Sequence, residues 1–498
     1  MQCRIPVALR NNSPRGLWRS VALLVACTIN AVSVAHAAGG SLADPFNTLE
    51  VVPRTPAKDM MQHVDGSPDC RLAEPVGDVD LLTAAEHALC HNPKTRQAWI
   101  DVQIKAALLG GAASAFWPTL SATLRSSMDS SVSDVPSQPA LSSAQHTAFR
   151  DYTLSLSWKL LDAGARRAQG EVAQHTLAAA QAAQDDVLQS VLSLTVKDYY
   201  AAVAARSALE AATSTEDDAG RSLQAAKARV LGGVASVIDQ MQAQTEYAQA
   251  VFNRAKAAGD MRVLRGVLAV DMGLNPNVPL MLPVLSGDAQ PDVALSASID
   301  DLLDEAKRFH PKTVEARAQL RAAMAHVDDV RAQGLPSLSL NARATSSTQP
   351  VVPAVGLAPL PASGRDRFIG LQLDVPIFEG FARTYGVRAA QAGVDSQEAN
   401  LRDIEQQVTL NVWTAHATLE ADSENLRNTT TLLDNASQTY VAAQQRYQKG
   451  VGSIIELLSV QSALANARQR RVQSLLDWRT ARLQLAASLG RLSLLALN

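Results

Sequence analysis

Residues able to do chemistry are sparse in this chain. Cys70 and Cys90 stand 20 positions apart, and the run HALCH sets His87 and His91 around Cys90. A metal site needs several ligands converging at defined spacings. No second ligand cluster accompanies this one, so the histidines read as incidental neighbours of a structural cysteine. Carboxylate pairs occur at Asp185-Asp186 and Asp328-Asp329. Both fall in helix-forming stretches, where adjacent acids do not face each other, and they read as solvated surface. There is no phosphate-binding loop, no Gly-x-Ser-x-Gly turn and no His-Glu-x-x-His helix, and the nine histidines are dispersed. The expectation is a protein that is not an enzyme, with no catalytic residue, cofactor or resident metal.

What the cysteines do depends on compartment. Arg4, Arg10, Arg15 and Arg19 precede an apolar run from Val21 to about Val34, followed by Ala35-His36-Ala37. These are the three regions of a secretory signal peptide over residues 1–37, cleaved after Ala37. Leu24-Val25-Ala26-Cys27 offers a second reading, a lipoprotein signal with Cys27 lipidated. The apolar run continues past Cys27, which favours Ala37. The segment is short for a membrane anchor, and no later stretch reaches 18 apolar residues. In an oxidising compartment Cys70 and Cys90 read as one disulfide, worth about 3 kcal/mol by loop-closure entropy. The 498 residues carry a net charge of -3 from 45 basic and 48 acidic side chains. Four of the basic residues lie in the leader, which leaves -7 and makes nucleic acid an unsuitable partner.

Composition and proline placement then indicate the elements. The chain is 47% hydrophobic but only 4% aromatic, a balance suited to closely packed Ala- and Leu-rich helices. Proline is absent from 140 to 275 and from 377 onward, which permits very long helices. Within each half, a short alternating strand runs straight into such a helix: LSLSWKLLDAGARRAQG at 154–170 and LQLDVPIFEGFARTYG at 371–386. The two halves are copies. At an offset of 218, Pro93-Lys94-Thr95 meets Pro311-Lys312-Thr313, and Pro118 and Arg125 meet Pro336 and Arg343. At 217, Arg166 meets Arg383, Gly233 meets Gly450 and Gly273 meets Gly490.

The resulting division is an extension over 38–75, partly disordered or wrapped on the helices, and repeats over 76–285 and 286–498. Each repeat begins with a helix, about 80–115 or 299–333. The first carries strands at about 118–128 and 151–161, the second at about 336–345 and 368–378. Long helices over about 163–230 and 381–448 follow, reversing at tips near 232–236 and 449–453. A helix of that length reaches about 100 Å and has no core of its own. In the last helix Leu457, Leu464, Trp478, Leu485 and Leu492 share a heptad position interrupted by Arg471, which Arg254 echoes. Val460, Ala467, Ser474, Ala481 and Ser488 follow three residues on, giving a large-small coiled-coil seam. Strands of about ten residues with one apolar face suit an outer membrane. Four strands cannot close a barrel, so several chains must contribute: two would give a filled interior, three room for a pore.

The leader, the duplicated helix-strand-loop-strand-long helix plan and the paired Gly turns resemble the TolC family of outer-membrane channels. The resemblance spans about 75–495 and is greatest to the type I secretion channels that export RTX-type protein toxins. It implies a mainly helical protomer with membrane β-structure: a homotrimer forming a 12-stranded outer-membrane barrel continuous with a periplasmic α-barrel. It also implies partners, namely a periplasmic adaptor, an inner-membrane ABC transporter, an exported protein substrate and outer-membrane lipid. Drug or metal efflux uses the same conduit and stays open as the alternative cargo. A periplasmic adaptor, with one hairpin set in β domains, is the competing structural reading.

Residue by residue, the resemblance places adaptor contacts at Gly233, Val234, Gly450 and Val451. It places a closed periplasmic gate at Asp239, Tyr447 and Glu456. The family's Arg two residues after the second tip Gly is Gly452 here, and its second acidic position is Ser459, so a less firmly held entrance is expected. The plainer alternative makes Asp239 and Glu456 ordinary helix-start carboxylates favoured by the helix dipole.

Overall fold

A computed structural model describes residues 44–52, 70, 78–139, 142–283, 298–348, 351, 360 and 362–491. The leader, with Ala37 and Cys27, lies outside the described residues, as does Leu492. In the first repeat α1 (Leu81–His91) and α2 (Pro93–Ser114) precede β1 (Thr119–Ser133) and β2 (Ser143–Leu161). Then come α3 (Ala165–Leu231) and α4 (Val237–Asp271). The second repeat matches element for element: α5 (Ile299–Phe309), α6 (Pro311–Ala332), β3 (Ser337–Thr348), β4 (Ser363–Asp374), α7 (Ala382–Gln448) and α8 (Ile454–Ser488).

Three expectations about these elements are corrected. The opening helix of each repeat is two helices, broken where a proline forces the preceding residue out of helical conformation. Asn92 and His310 occupy that position with ψ near 130°, and each side chain accepts from the N–H two residues on, Lys94 at 2.9 Å and Lys312 at 3.2 Å. The first hairpin is longer than 118–128 and 151–161, because Ser- and Thr-rich residues continue the ladder after the apolar alternation fades. The last strand ends at Asp374 and not near 378, since Pro376 cannot donate to a ladder.

The long helices α3 and α7 each run 67 residues. They pack along their hairpin partners α4 and α8, and α6 lies against both, tying the repeats together. The α8 seam is buried at Leu457, Leu464, Trp478 and Leu485, with Ala467, Ser474, Ala481 and Ser488 also buried. Arg254 pairs with Glu216 across the first hairpin. Arg471 lies near Asp434 on α7, and burial lowers its pKa. The Cys70 and Cys90 sulfurs are bonded with Cα atoms 5.3 Å apart. Within the extension, residues 44–52 are ordered on α2: Val52 joins Val102, Ala106 and Leu177, and Gly110 admits the Thr48 side chain.

The four strands form one antiparallel sheet in the order β1-β2-β3-β4, so β2 and β3 join the two repeats and β1 and β4 are its edges. A bulge between Lys159 and Leu161 marks the end nearest the helices.

Candidate functional site

At the far end of each long helix the chain reverses through a Schellman turn. Gly233 and Gly450 take φ of 73° and 81°, the left-handed conformation that favours glycine. Gly233 N–H donates to Val230 and Val234 N–H to Arg229, each at 3.0 Å; Gly450 and Val451 repeat this on Tyr447 and Arg446. Ser236 and Ser453 then cap α4 and α8, accepting from Ile238 and Glu456 N–H groups at 3.1 Å. The reversal leaves Val234 and Val451 exposed, along with Leu231, Val237, Ile238, Met241 and Ile455. Beyond Val234 and Val451, this rim escaped sequence reasoning, because Leu231, Val237, Ile238, Met241 and Ile455 look like ordinary helix positions.

The three residues expected at a gate fall in three settings. Tyr447 is 1% exposed and packs among Leu223, Ala226, Ala243, Ile454 and Leu457, which brings both hairpins together. Its carbonyl accepts from Arg229 Nη1 at 3.0 Å, and the Arg229 guanidinium lies 4.6 Å from its ring centroid. Its hydroxyl is buried without a hydrogen-bond partner among the described residues. Burial raises the phenol's pKa; Arg229 opposes this and Asp239 adds to it. Asp239 is half-buried in the first turn of α4 and reaches Tyr447 through its field. Glu456, in the first turn of α8, pairs with Arg446 at 3.7 Å, a partly exposed pair. Arg229 and Arg446 therefore supply cations at a tip where Gly452 does not. A Cβ on Gly452 would lie 3.1 Å from the Tyr447 backbone nitrogen, so the tight turn itself favours glycine there. A weaker entrance does not follow from Gly452 alone.

At the opposite end, strand passes to helix through a clasp. Ala163 and Gly164 have φ of 51° and 94°; Gly380 and Phe381 have 62° and 66°. Each repeat thus uses two successive left-handed residues, with glycine at the opposite place in the pair. Asp162 accepts from Arg166 N and from Arg166 Nε at 2.6 Å, and Arg166 also lies 4.8 Å over the Phe116 ring. Burial alone would raise the Asp162 pKa, but the Arg166 and Gly164 donors outweigh it and hold it low. In the second repeat Glu379 pairs with Arg383 at 3.0 Å. There Gly334, opposite Phe116 in the repeat, leaves the space that the Arg383 guanidinium fills.

The sheet has two chemically distinct faces. Register places Leu120, Leu156, Ala342 and Ile369 in one row, with Leu124 and Tyr152 above and Trp158, Leu340 and Leu371 below. The other face carries Ser121, Ser155, Arg343 and Phe368, then Thr123, Thr153, Thr345 and Asp366. Trp158 Nε1 donates to the Phe116 carbonyl at 3.0 Å at the helix end, where Trp117, Phe378, Phe381 and Tyr385 are also exposed. An apolar band bounded by aromatic side chains is the surface a membrane barrel turns to lipid. The polar face then lines the interior. No helix among the described residues is long and apolar enough to cross a membrane.

The comparisons agree with this division. The model of the outer membrane efflux protein family matches residues 84–265 and 302–491, one segment in each repeat. Protein CyaE of Bordetella pertussis is 32% identical over 422 residues, covering 84% of this chain and 86% of that protein. The cobalt-zinc-cadmium resistance protein CzcC of Cupriavidus metallidurans is 26% identical over 62% of this chain and 69% of its own. Among solved structures, CusC superposes with a TM-score of 0.70 at 20% identity, covering 88% of this chain and 97% of that one. The Campylobacter jejuni CmeC outer membrane channel gives 0.70 at 17% identity, with 84% and 90% covered. The fold is theirs: four strands are one third of a 12-stranded trimeric barrel, continuous with a long helical barrel. This chain belongs to the outer membrane efflux protein family.

Proposed function

We propose that this outer-membrane channel serves type I secretion, passing a protein substrate from an inner-membrane ABC transporter and its adaptor to the outside. The observation that carries the conduit is the two-faced sheet feeding through both clasps into helices of 67 residues. A barrel with a Ser- and Thr-rich interior leads without interruption into a hollow helical stalk. Support for protein cargo comes from the resemblance to toxin-exporting channels and from the match to CyaE, which covers more of both chains at higher identity than the match to CzcC. That second match keeps metal efflux as the rival reading.

On this reading the tips at Gly233-Val234 and Gly450-Val451 meet the adaptor, and their uncovered apolar rim supports that role. Tyr447, with Asp239 and Glu456 beside it, closes the entrance. A deletion strain assayed in parallel for secreted protein and for cobalt, zinc, cadmium and drug sensitivity tests the proposal. Loss of a secreted protein with unchanged tolerance is expected. Restored secretion by the wild-type chain but not by Val234→Asp/Val451→Asp, with trimers still formed, places the adaptor at the tips. Increased metal sensitivity with normal secretion overturns the cargo assignment.

A further inference from the structure

Among the described strand residues, each protomer's share of the barrel's lipid face carries three charges, all of them arginines. Reading outward from the helix end, its rows run Trp158/Leu340/Leu371, Leu156/Ala342/Ile369, Leu154/Ala344/Arg367 and Tyr152/Ser346/Arg365. The next row holds Arg150 and Thr348. All three arginines are exposed, and none makes an ion pair or side-chain hydrogen bond among the described residues. Every acid on the strands, namely Asp129, Asp151, Asp366 and Asp374, belongs to the interior face. The outward face of β1, from Leu120 through Leu124 and Met128 to Val132, carries no charge, and this strand would complete the barrel beside β4.

Their height in the membrane can be located. From Leu161 to Tyr152 the chain spans about 30 Å along the strand at 3.3 Å per residue, and about 20–25 Å along the membrane normal once tilted. That accounts for the hydrocarbon layer. Arg365 shares the ladder row of Tyr152, and Arg150 is one row further out. Arg367 lies one row inside, from which a long side chain can snorkel to the boundary. The helices are periplasmic, so this is the outer leaflet. Arg150 and Arg365 are two strands and one row apart, about 12 Å, and Arg365 and Arg367 about 7 Å. Guanidinium groups bind phosphate through two parallel N–H bonds, and no acid among the described residues pairs with these three.

We propose that Arg150, Arg365 and Arg367 bind the phosphates of a phosphorylated glycolipid of the outer leaflet, three sites per trimer. Binding is to be measured by native mass spectrometry of the detergent-purified trimer titrated with bisphosphorylated lipid A. Fully dephosphorylated lipid A and phosphatidylglycerol serve as comparisons. The wild-type trimer should bind the bisphosphorylated lipid at least tenfold more tightly than either. Arg150→Gln/Arg365→Gln/Arg367→Gln should lose that preference, while Arg125→Gln/Arg343→Gln on the interior face should retain it. If the triple variant does not assemble, the three single variants are read, each expected to weaken binding at least twofold. Equal binding of the dephosphorylated lipid or of phosphatidylglycerol, or undiminished binding by the variants, overturns the site.

Discussion

At Tyr447 the ring and the backbone carbonyl make the contacts, and the hydroxyl makes none among the described residues. Removing the hydroxyl therefore takes away no bond, whereas removing Arg229 takes away both the bond to the carbonyl and the cation over the ring. In single-channel recordings Arg229→Ala is expected to raise conductance or opening frequency more than Tyr447→Phe, which should stay near wild type. The reverse order would return the hydroxyl to the proposed gate. The sequence located Tyr447 through its distance from Gly450, but its partner is 218 residues away and no local spacing points to it. Asp271, at the end of α4, illustrates the same limit. Burial, with Asp198 alongside and Lys94 opposing, pushes its pKa up to about 7. A carboxyl whose folded pKa lies above its unfolded value stays protonated only in the folded protein between about pH 4 and 7, so stability falls as pH rises through that window. Thermal melts at pH 5 and 8 should therefore differ more for the wild type than for Asp271→Asn. An equal difference in the two proteins would remove Asp271 as the cause.

Among the elements, helix length and turn positions were legible because proline, glycine and the repeat offset punctuate the chain at the same places twice. Strand ends were less so, since Ser126–Ser133 carry little hydrophobic pattern yet continue the ladder. What holds the rods to one another was least legible, because it combines polar groups from separate helices. Asp218 on α3, 4% exposed at its side chain, accepts from Arg468 of α8 at 2.9 Å and pairs with Arg221. Beside it Ser222 donates to Gln461 at 2.8 Å, and burial with the nearby Asp218 charge pushes the Tyr440 phenol up to about 12. Deleting one member of a largely buried pair strands the other, at a cost of about 3 kcal/mol. Asp218→Ala should accordingly destabilise the first rod against the second by about that much in thermal melts of the solubilised protein. Arg167→Ala, which breaks an exposed pair with Glu171, should change stability by less than about 0.5 kcal/mol. Comparable effects from the two would mean that the Asp218 knot does not join the rods.

For the whole molecule the decisive feature is a sheet with two uncovered edges. β1 and β4 each leave one side of their backbone without a strand partner among the described residues, and β2 and β3 stand between them. At about 4.8 Å per strand those edges are about 14 Å apart, too far for any bond within a protomer. An open edge inside a hydrocarbon layer is costly, because no water is there to satisfy it. Closing the sheet by cyclic repetition removes both edges at once and leaves none for further growth. Four strands suggested several chains from the sequence alone, but which strands form the edges became evident only from the pairing of β2 with β3. The expected outcome is specific. Cysteines introduced singly along 120–128 of β1, combined with cysteines along 365–373 of β4 in a cysteine-free background, should give covalent trimers on oxidation in membranes. Productive pairs should recur at every second residue, following the alternation of faces, and should define the register between protomers. Pairs placed on β1 and β3 should give no trimer. If no β1–β4 pair crosslinks while the β1–β3 controls do, closure runs through different edges and the barrel is assembled otherwise.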